Sequence, residues 1–234
     1  MGEIFNQSNN GIGFIHDTQP QSFYDAFNNF IFAPESKVFE KLISKYYFLQ
    51  MTENVPGDIM ELGVFKGSGM AAWLKTLRSL GINNKKVIGF DIFDQQSLVP
   101  TIISKDSSLM KSLFEDRKFD SKGYEDILTK TLNQMGHSNF QIVTGNVLDS
   151  IPKFVENKPG FRASLINFDM DTEEPTDFCI QKLWNHLTPG GVMIFDEYAI
   201  EEWSESNAVD KFVLENNLKL HRTKYVTPTA YIIK

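Results

Sequence analysis

Several acidic residues in this 234-residue chain stand directly after short apolar runs. Asp91 follows Lys-Val-Ile-Gly-Phe, Asp169 follows Ala-Ser-Leu-Ile-Asn-Phe, and Asp196-Glu197 follow Val-Met-Ile-Phe. Such runs read as buried strands, so each acid sits at a strand end, where open α/β sheets bind their ligands. An acid in that position after a second strand is suited to accept hydrogen bonds from ribose hydroxyls. Carboxylates converging from neighbouring strand ends repel one another, and a hard divalent cation relieves that repulsion. A third feature is Glu61-Leu-Gly63-Val-Phe-Lys-Gly67-Ser68-Gly69, which follows an apolar run and opens a helical pattern. Its small residues let the backbone approach a ligand closely, and a helix N-terminus favours an anionic group. The spacing is G-x-x-x-G-x-G rather than the G-x-G-x-x-G of dinucleotide-binding loops, and it lacks the Lys-Ser/Thr ending of a P-loop. With Asp91 it points to an adenosine-containing ligand without choosing between NAD and S-adenosylmethionine (SAM).

These residues need a sheet to position them, and the sequence supplies one. Strands are expected at Asp58–Leu62, Lys86–Phe90, Phe140–Thr144, Ala163–Phe168 and Val192–Phe195. Helices are expected at Met70–Leu80, Tyr124–Met135, Thr176–Leu187 and Asn207–Asn216, with short helical pieces around Ser107–Phe114 in an irregular stretch from 92 to 122. Alternation of this kind predicts a doubly wound, mostly parallel α/β sheet of seven strands with right-handed crossovers. The segments Leu218–Val226 and Thr229–Ile233, joined by Thr227-Pro228, are too close for a crossover and read as an antiparallel C-terminal hairpin. Ahead of the sheet, Val38, Phe39, Leu42, Ile43, Tyr46 and Leu49 recur at helical spacing and predict a cap helix with one apolar face. Residues 1–20 are polar and rich in Asn, Gln and Gly, as in a flexible arm. The expected organisation is an N-terminal arm and cap helix over 1–55 and a ligand-binding domain over 56–234, with the cap helix and the 92–122 stretch covering the pocket.

A terminal antiparallel pair on an otherwise parallel sheet is the arrangement of class I (Rossmann-like) SAM-dependent methyltransferases. Within that class, Glu61-Leu-Gly-Val-Phe-Lys-Gly67, the Gly-Phe-Asp91 strand end, Phe168-Asp-Met-Asp-Thr-Glu-Glu-Pro-Thr176 and Leu187-Thr-Pro-Gly-Gly-Val-Met-Ile-Phe-Asp-Glu-Tyr198 resemble the macrocin-O-methyltransferase family. The resemblance runs from about Pro56 to Phe212. It implies a SAM- and Mg²⁺-dependent O-methyltransferase acting on sugar hydroxyls, and a homodimer. By position it implies Asp169, Asp196 and Glu197 as metal ligands. It places Glu61, Gly63, Gly67, Ser68, Asp91, Asn146 and Asp169 around the cofactor, and gives Asp169 and Tyr198 catalytic roles. Mg²⁺ would hold two vicinal oxygens of the acceptor and lower the pKa of the one methylated. The sequence departs from the family pattern where Glu173 replaces a Tyr and Glu197 an Asp. Glu173 and Glu174 are otherwise explained as first-turn helix residues favoured by the dipole.

The sulfonium of SAM is already activated, so alignment of acceptor oxygen and methyl group is the main task of the protein. No lysine follows Asp169 at the spacing used by catechol-type methyltransferases. Tyr198, His221 or a residue of the N-terminal segment remains as a candidate base. His16, His137 and His186 read as surface or packing residues. Rival readings are a metal-independent SAM enzyme, a non-catalytic SAM- or nucleotide-binding protein, and an NAD-dependent oxidoreductase disfavoured by the glycine spacing.

Composition narrows the classes further. A formal charge of −7 without a large Lys/Arg cluster argues against nucleic acid as partner. The single cysteine, Cys179, excludes internal disulfides and points to a reducing compartment. The N-terminus lacks a basic region followed by an apolar one, and no apolar run approaches the ~20 residues that span a bilayer. The chain therefore reads as cytoplasmic, without membrane contact.

Overall fold

The computed structural model describes residues 21–94, 98, 106–117 and 122–234. The arm expected over residues 1–20 lies outside the described residues. Two helices, α1 (Gln21–Phe32) and α2 (Lys37–Thr52), precede the sheet. The chain then alternates β1 (Asp58–Leu62), α3 (Ser68–Ser79), β2 (Val87–Asp91), α4 (Asp106–Arg117), α5 (Tyr124–Gln134), β3 (Phe140–Thr144), α6 (Val147–Asn157), β4 (Ala163–Phe168) and α7 (Glu173–Leu183). After a 3₁₀ turn it closes with β5 (Leu187–Phe195), α8 (Glu205–Glu215), β6 (Leu220–Arg222) and β7 (Ala230–Ile233).

The seven strands lie in the order β3-β2-β1-β4-β5-β7-β6. Pairings from β3 through β5 are parallel, and β7 runs antiparallel to both β5 and β6. Parallel strands buried on both faces read as continuous apolar runs, and the period of two divides each run between two cores. Met60, Leu62, Ile88, Phe90, Ile166, Phe168, Met193 and Phe195 pack against residues of α6, α7 and α8. Ile59, Val87, Leu165, Val192 and Ile194 pack on the other face with α2, α3 and α5. Full burial of one such side chain contributes about 1.5–3 kcal/mol, so the buried strands of the sheet centre contribute much of the apolar stabilisation.

Register carries the functional consequence. Leu62 pairs with Phe168, and Phe168 with Phe195. The next residues, Gly63, Asp169 and Asp196, therefore leave adjacent strands at one level. Backbone bonds hold them there: Asp169 N donates to Leu62 O at 2.8 Å and Asp196 N to Phe168 O at 3.2 Å.

The structure departs from the sequence-based reading in several places. Two helices went unanticipated: α1, and α6, which accommodates an internal proline, Pro152. The helical piece expected near Ser107–Phe114 is a full helix, α4. Strand β5 begins at Leu187, so the Thr188-Pro-Gly-Gly191 turn is an irregular first half of the strand. The C-terminal hairpin exists, but β6 has three residues and the connection spans 223–229. The predicted apolar face of the cap helix α2 is only partly covered. Of that face Leu49 is buried, while Val38, Phe39, Leu42, Ile43 and Tyr46 are 40–54% exposed; Ser44, Lys45, Phe48 and Thr52 are buried beside Leu49.

The link from α2 into the sheet is tied down by Lys85. Its buried ammonium donates to Val55 O at 2.5 Å, Gly57 O at 3.1 Å and Ser164 Oγ at 2.9 Å. A charged donor with several acceptors is worth more than a neutral hydrogen bond, and its removal strands buried carbonyls. Lys85→Met is expected to lower unfolding free energy by about 2–4 kcal/mol, read by urea denaturation. An unchanged midpoint would show that this tie contributes nothing.

Candidate active site

Beyond the carboxyl ends of β1, β2, β4 and β5 lies a cavity of about 660 Å³, within the range that holds small ligands. One half is built from the glycine-rich turn. Gly63 has φ +91°, and a Cβ there would stand 2.0 Å from Asp169 O, so only glycine lets the two strand ends pass this closely. Gly69 lies against the Glu61 carboxylate, where a Cβ would come within 1.8 Å of Oε1. The Asp91 carboxylate fastens this turn. Its Oδ2 accepts from Val64 N at 2.8 Å and Phe65 N at 2.7 Å, and Oδ1 accepts from Phe93 N at 2.8 Å. Three backbone amides thus occupy most of the four or so lone-pair sites of a residue expected to serve a ribose alone.

Glu61 is 2% exposed, and its Oε2 has no hydrogen-bond partner among the described residues. Burial pushes its carboxyl up to about 7, against the opposing pull of Lys45. An orphaned buried acceptor facing a cavity is a place for a ligand donor.

The other half is acidic. Asp169 and Asp171 line the cavity after β4, and Glu197 lines it after β5. Asp196 lies deeper, 2% exposed. Behind them Glu205 is fully buried: Oε2 accepts from Glu197 N at 2.9 Å and Oε1 has no hydrogen-bond partner among the described residues. So much negative charge in one place perturbs titration. Burial and the neighbouring Asp169 carboxylate raise Asp196 to about 7, and burial with Asp169, Glu197 and Asp196 raises Asp171 to about 8. At Asp169 burial works upward, but the ammonium groups of Lys41 and Lys45 outweigh it and hold the carboxyl below its usual range.

The lysines come from α2. Lys41 Nζ stands 3.2 Å from Asp169 Oδ2 and 2.5 Å from Asp196 Oδ2. Lys37 Nζ stands 3.2 Å from Glu197 Oε1, and Lys45 Nζ lies 4.2 Å from the centre of the Trp73 ring. Sequence reasoning missed all three. Their signal was the spacing 37, 41, 45, one turn apart and so on one helix face. It also explains why much of the apolar stripe of α2 stays exposed: the lysines claim the face turned to the carboxylates. Of the stripe's N-terminal part, Val38 and Leu42 reach the cavity.

Most of the residues singled out from sequence meet here. Glu61, Gly63, Ser68, Asp91, Asn146, Asp169 and Glu197 line the cavity. Asn146 also caps α6, its side chain accepting from Leu148 N at 3.0 Å. Gly67 stands one residue back, at the start of α3 with φ +81°. Tyr198 is a correction. It lies outside the cavity lining, and its hydroxyl donates to Asp210 Oδ1 on α8 at 2.7 Å. Burial and that carboxylate raise it to about 12, which unsuits it as a base. His221 stacks on Tyr231 at the far sheet edge, 5.0 Å between ring centres. Phe65, Phe93, Asp171 and Ala199 all adopt φ between +46° and +66°, uncommon for non-glycine residues and gathered where backbone strain marks functional loops.

For a hard divalent cation the donor chemistry fits: oxygen ligands from adjacent strand ends and more negative charge than the lysines offset. The geometry, however, is set by ammonium. Among the described residues no three His, Cys, Asp or Glu side chains stand in metal-holding array.

Sheet order 3-2-1-4-5-7-6 with a glycine-rich turn after β1 defines a class I methyltransferase fold. Residues 48–225 match the macrocin-O-methyltransferase (TylF) model, and the chain belongs to that family. A Streptomyces olivaceus relative, 8-demethyl-8-(2,3-dimethoxy-α-L-rhamnosyl)-tetracenomycin-C 4′-O-methyltransferase, is 27% identical over 161 residues. That match covers 64% of this chain and 56% of the relative, so the chain spans little more than half the relative's length. Similar solved folds include CalS11, a TDP-rhamnose 3′-O-methyltransferase of calicheamicin biosynthesis (TM-score 0.71, 22% identity, 92% of this chain and 88% of that one). The O-methyltransferase NovP gives 0.66 at 19% identity, covering 83% and 79%. No described helix is long and apolar enough to cross a membrane.

The Glu61 carboxyl binds its proton more tightly folded than unfolded. It stabilises the ligand-free fold fully below about pH 4.5 and loses that contribution as pH rises through about 7. Glu61→Gln is expected to flatten the fall in Tm between about pH 5 and pH 8 by a few degrees. Superimposable profiles for variant and wild type would contradict this placement.

Proposed function

We propose that the protein transfers the methyl group of SAM to a hydroxyl of a sugar or similar vicinal-diol small molecule, with Mg²⁺ assisting. The observation that carries the reading is that a glycine-rich turn and a carboxylate cluster open into one cavity, joined at Asp169. The named activities of the rhamnose-directed relatives support a sugar acceptor. A Bacillus cereus O-methyltransferase of similar fold, solved with S-adenosylhomocysteine, supports the cofactor (TM-score 0.53). In this reading residues 56–234 are the catalytic domain, residues 1–55 its arm and cap, and the protein works in the cytoplasm. The exposed apolar side chains of α1 and α2 then fit a second copy of the chain.

Glu61, Gly63, Gly67, Ser68, Asp91 and Asn146 are proposed to hold SAM. Glu61 Oε2 takes a ligand donor, and Asp91 serves the ribose with the acceptor capacity its three amides leave. Asp169, Asp196 and Glu197 would hold Mg²⁺, which supplies binding of vicinal oxygens and a lowered pKa for one of them. Asp169 is the proposed catalytic carboxylate. Kept ionised by Lys45 and by whichever cation, Lys41 or the metal, faces it, it accepts a hydrogen bond from the acceptor hydroxyl and so turns an oxygen lone pair toward the methyl carbon. The oxygen–carbon bond forms as the carbon–sulfur bond breaks. The hydroxyl proton passes to the Asp169 carboxylate and from there to solvent, and the products are a methyl ether and S-adenosylhomocysteine. Val38 and Leu42 of the cap help to exclude water.

A second reading, transfer without metal, is favoured by the ion pairs of Lys37 and Lys41. Transfer of labelled methyl from SAM to a rhamnosyl acceptor separates them. EDTA and Asp169→Asn are each expected to lower the rate about 100-fold or more. Full activity in EDTA would establish the metal-free reading, and full activity of Asp169→Asn would remove Asp169 from the chemistry.

A further inference from the structure

The ion pairs of α2 occupy the carboxylates assigned above to the metal. Lys41 is placed between Asp169 and Asp196, and Lys37 meets Glu197, so the inner face of this helix is matched to the ends of β4 and β5. The carboxylates facing these ammonium groups are Asp169, Asp171, Asp196, Glu197 and the buried Glu205 behind them. The N-terminal half of α2 has little other anchorage. Val38, Phe39, Leu42 and Ile43 are 40–54% exposed, and the fully buried Phe48 and Leu49 belong to its C-terminal half. A further tie comes from Glu40, whose carboxylate accepts from Val226 N at 2.5 Å. That half of the helix is held mainly by charge.

We propose that Lys41 is a resident counter-cation of the carboxylate site, which a divalent cation enters only by displacing the lysine ammonium. Lys41 thereby sets the metal affinity of the site. Lys41 Nζ already stands against Asp169 Oδ2 and Asp196 Oδ2, so a divalent cation at those oxygens competes with the ammonium for them and is repelled by it. Displacement also removes an anchor from the N-terminal half of α2. Val38 and Leu42 from that half line the cavity, so entry of metal loosens the cap where the acceptor must pass. The proposal rests on the metal reading of the site, and its test keeps the two apart.

The experiment is calorimetric titration of the full chain with Mn²⁺, for wild type, Lys41→Met and Lys41→Arg, with folding checked by circular dichroism. Lys41→Met is expected to bind Mn²⁺ at least about tenfold more tightly than wild type, and Lys41→Arg to stay within about threefold of it. Adding Asp169→Asn to Lys41→Met is expected to abolish the tight binding. Hydrogen exchange of wild type gives a readout that needs no variant: amides 38–44 are expected to exchange faster when Mn²⁺ is bound. Equal or weaker binding by folded Lys41→Met, or unchanged exchange in metal-bound wild type, would overturn the proposal and leave the metal reading standing. Absence of Mn²⁺ binding by wild type and Lys41→Met alike would overturn both.

Discussion

Carboxylates left side by side at the ends of parallel strands repel each other, and the remainder of this site is arranged around that repulsion. The register of β1, β4 and β5 makes it unavoidable: once Leu62, Phe168 and Phe195 are paired in the core, Asp169 and Asp196 must emerge together. Burial deepens the penalty, since the charged forms lose water without gaining enough positive charge in return. The fold answers with three lysines on one face of α2. Having turned that face inward, α2 exposes its apolar stripe, and α1 adds exposed Phe27, Ile31 and Phe32 beside it. One electrostatic constraint thus accounts for the orientation of the cap, the mixed protonation of the cluster and an uncovered apolar face on the outside.

The two halves of the cavity are coupled through the backbone as well as through charge. Gly63 permits the carbonyl of Asp169 to pass the glycine-rich turn, and Asp91 locks that turn from the other side. In the proposed function, a cofactor on the turn and a hydroxyl on the carboxylates would therefore sit across a junction built from strand ends. Such a junction suits a reaction whose main demand is alignment. The N-terminal half of α2 is held mainly by ion pairs, whereas Phe48 and Leu49 anchor its C-terminal half in the core.

Most of the sheet was legible in the sequence because its signals are local. Apolar runs ended by acids, a glycine-rich turn and Thr-Pro-Gly-Gly punctuation fix five parallel strands and their site-bearing ends. What was not legible depends on packing at a distance. Helix α6 forms despite Pro152 because Val147, Ile151 and Phe154 find a core to bury in. The facing of α2 could not be read from its apolar periodicity, since the opposing carboxylates that decide it lie more than 120 residues away. Asp91 was read as a ribose acceptor on its position alone, and only the fold reveals the three amides it also serves. Tyr198 followed the acidic pair in sequence, yet the irregular turn after β5 aims its hydroxyl at Asp210.

The central claim is that the carboxylates of Asp169, Asp196 and Glu197 exist to hold a cation beside the cofactor. Anomalous diffraction from crystals grown with Mn²⁺ and S-adenosylhomocysteine tests it directly. The expected result is one Mn²⁺ peak ligated by those three side chains, next to the cofactor sulfur, with the Lys41 ammonium withdrawn. Cofactor density with no Mn²⁺ peak among the carboxylates, and Lys41 still paired with Asp169 and Asp196, would contradict it.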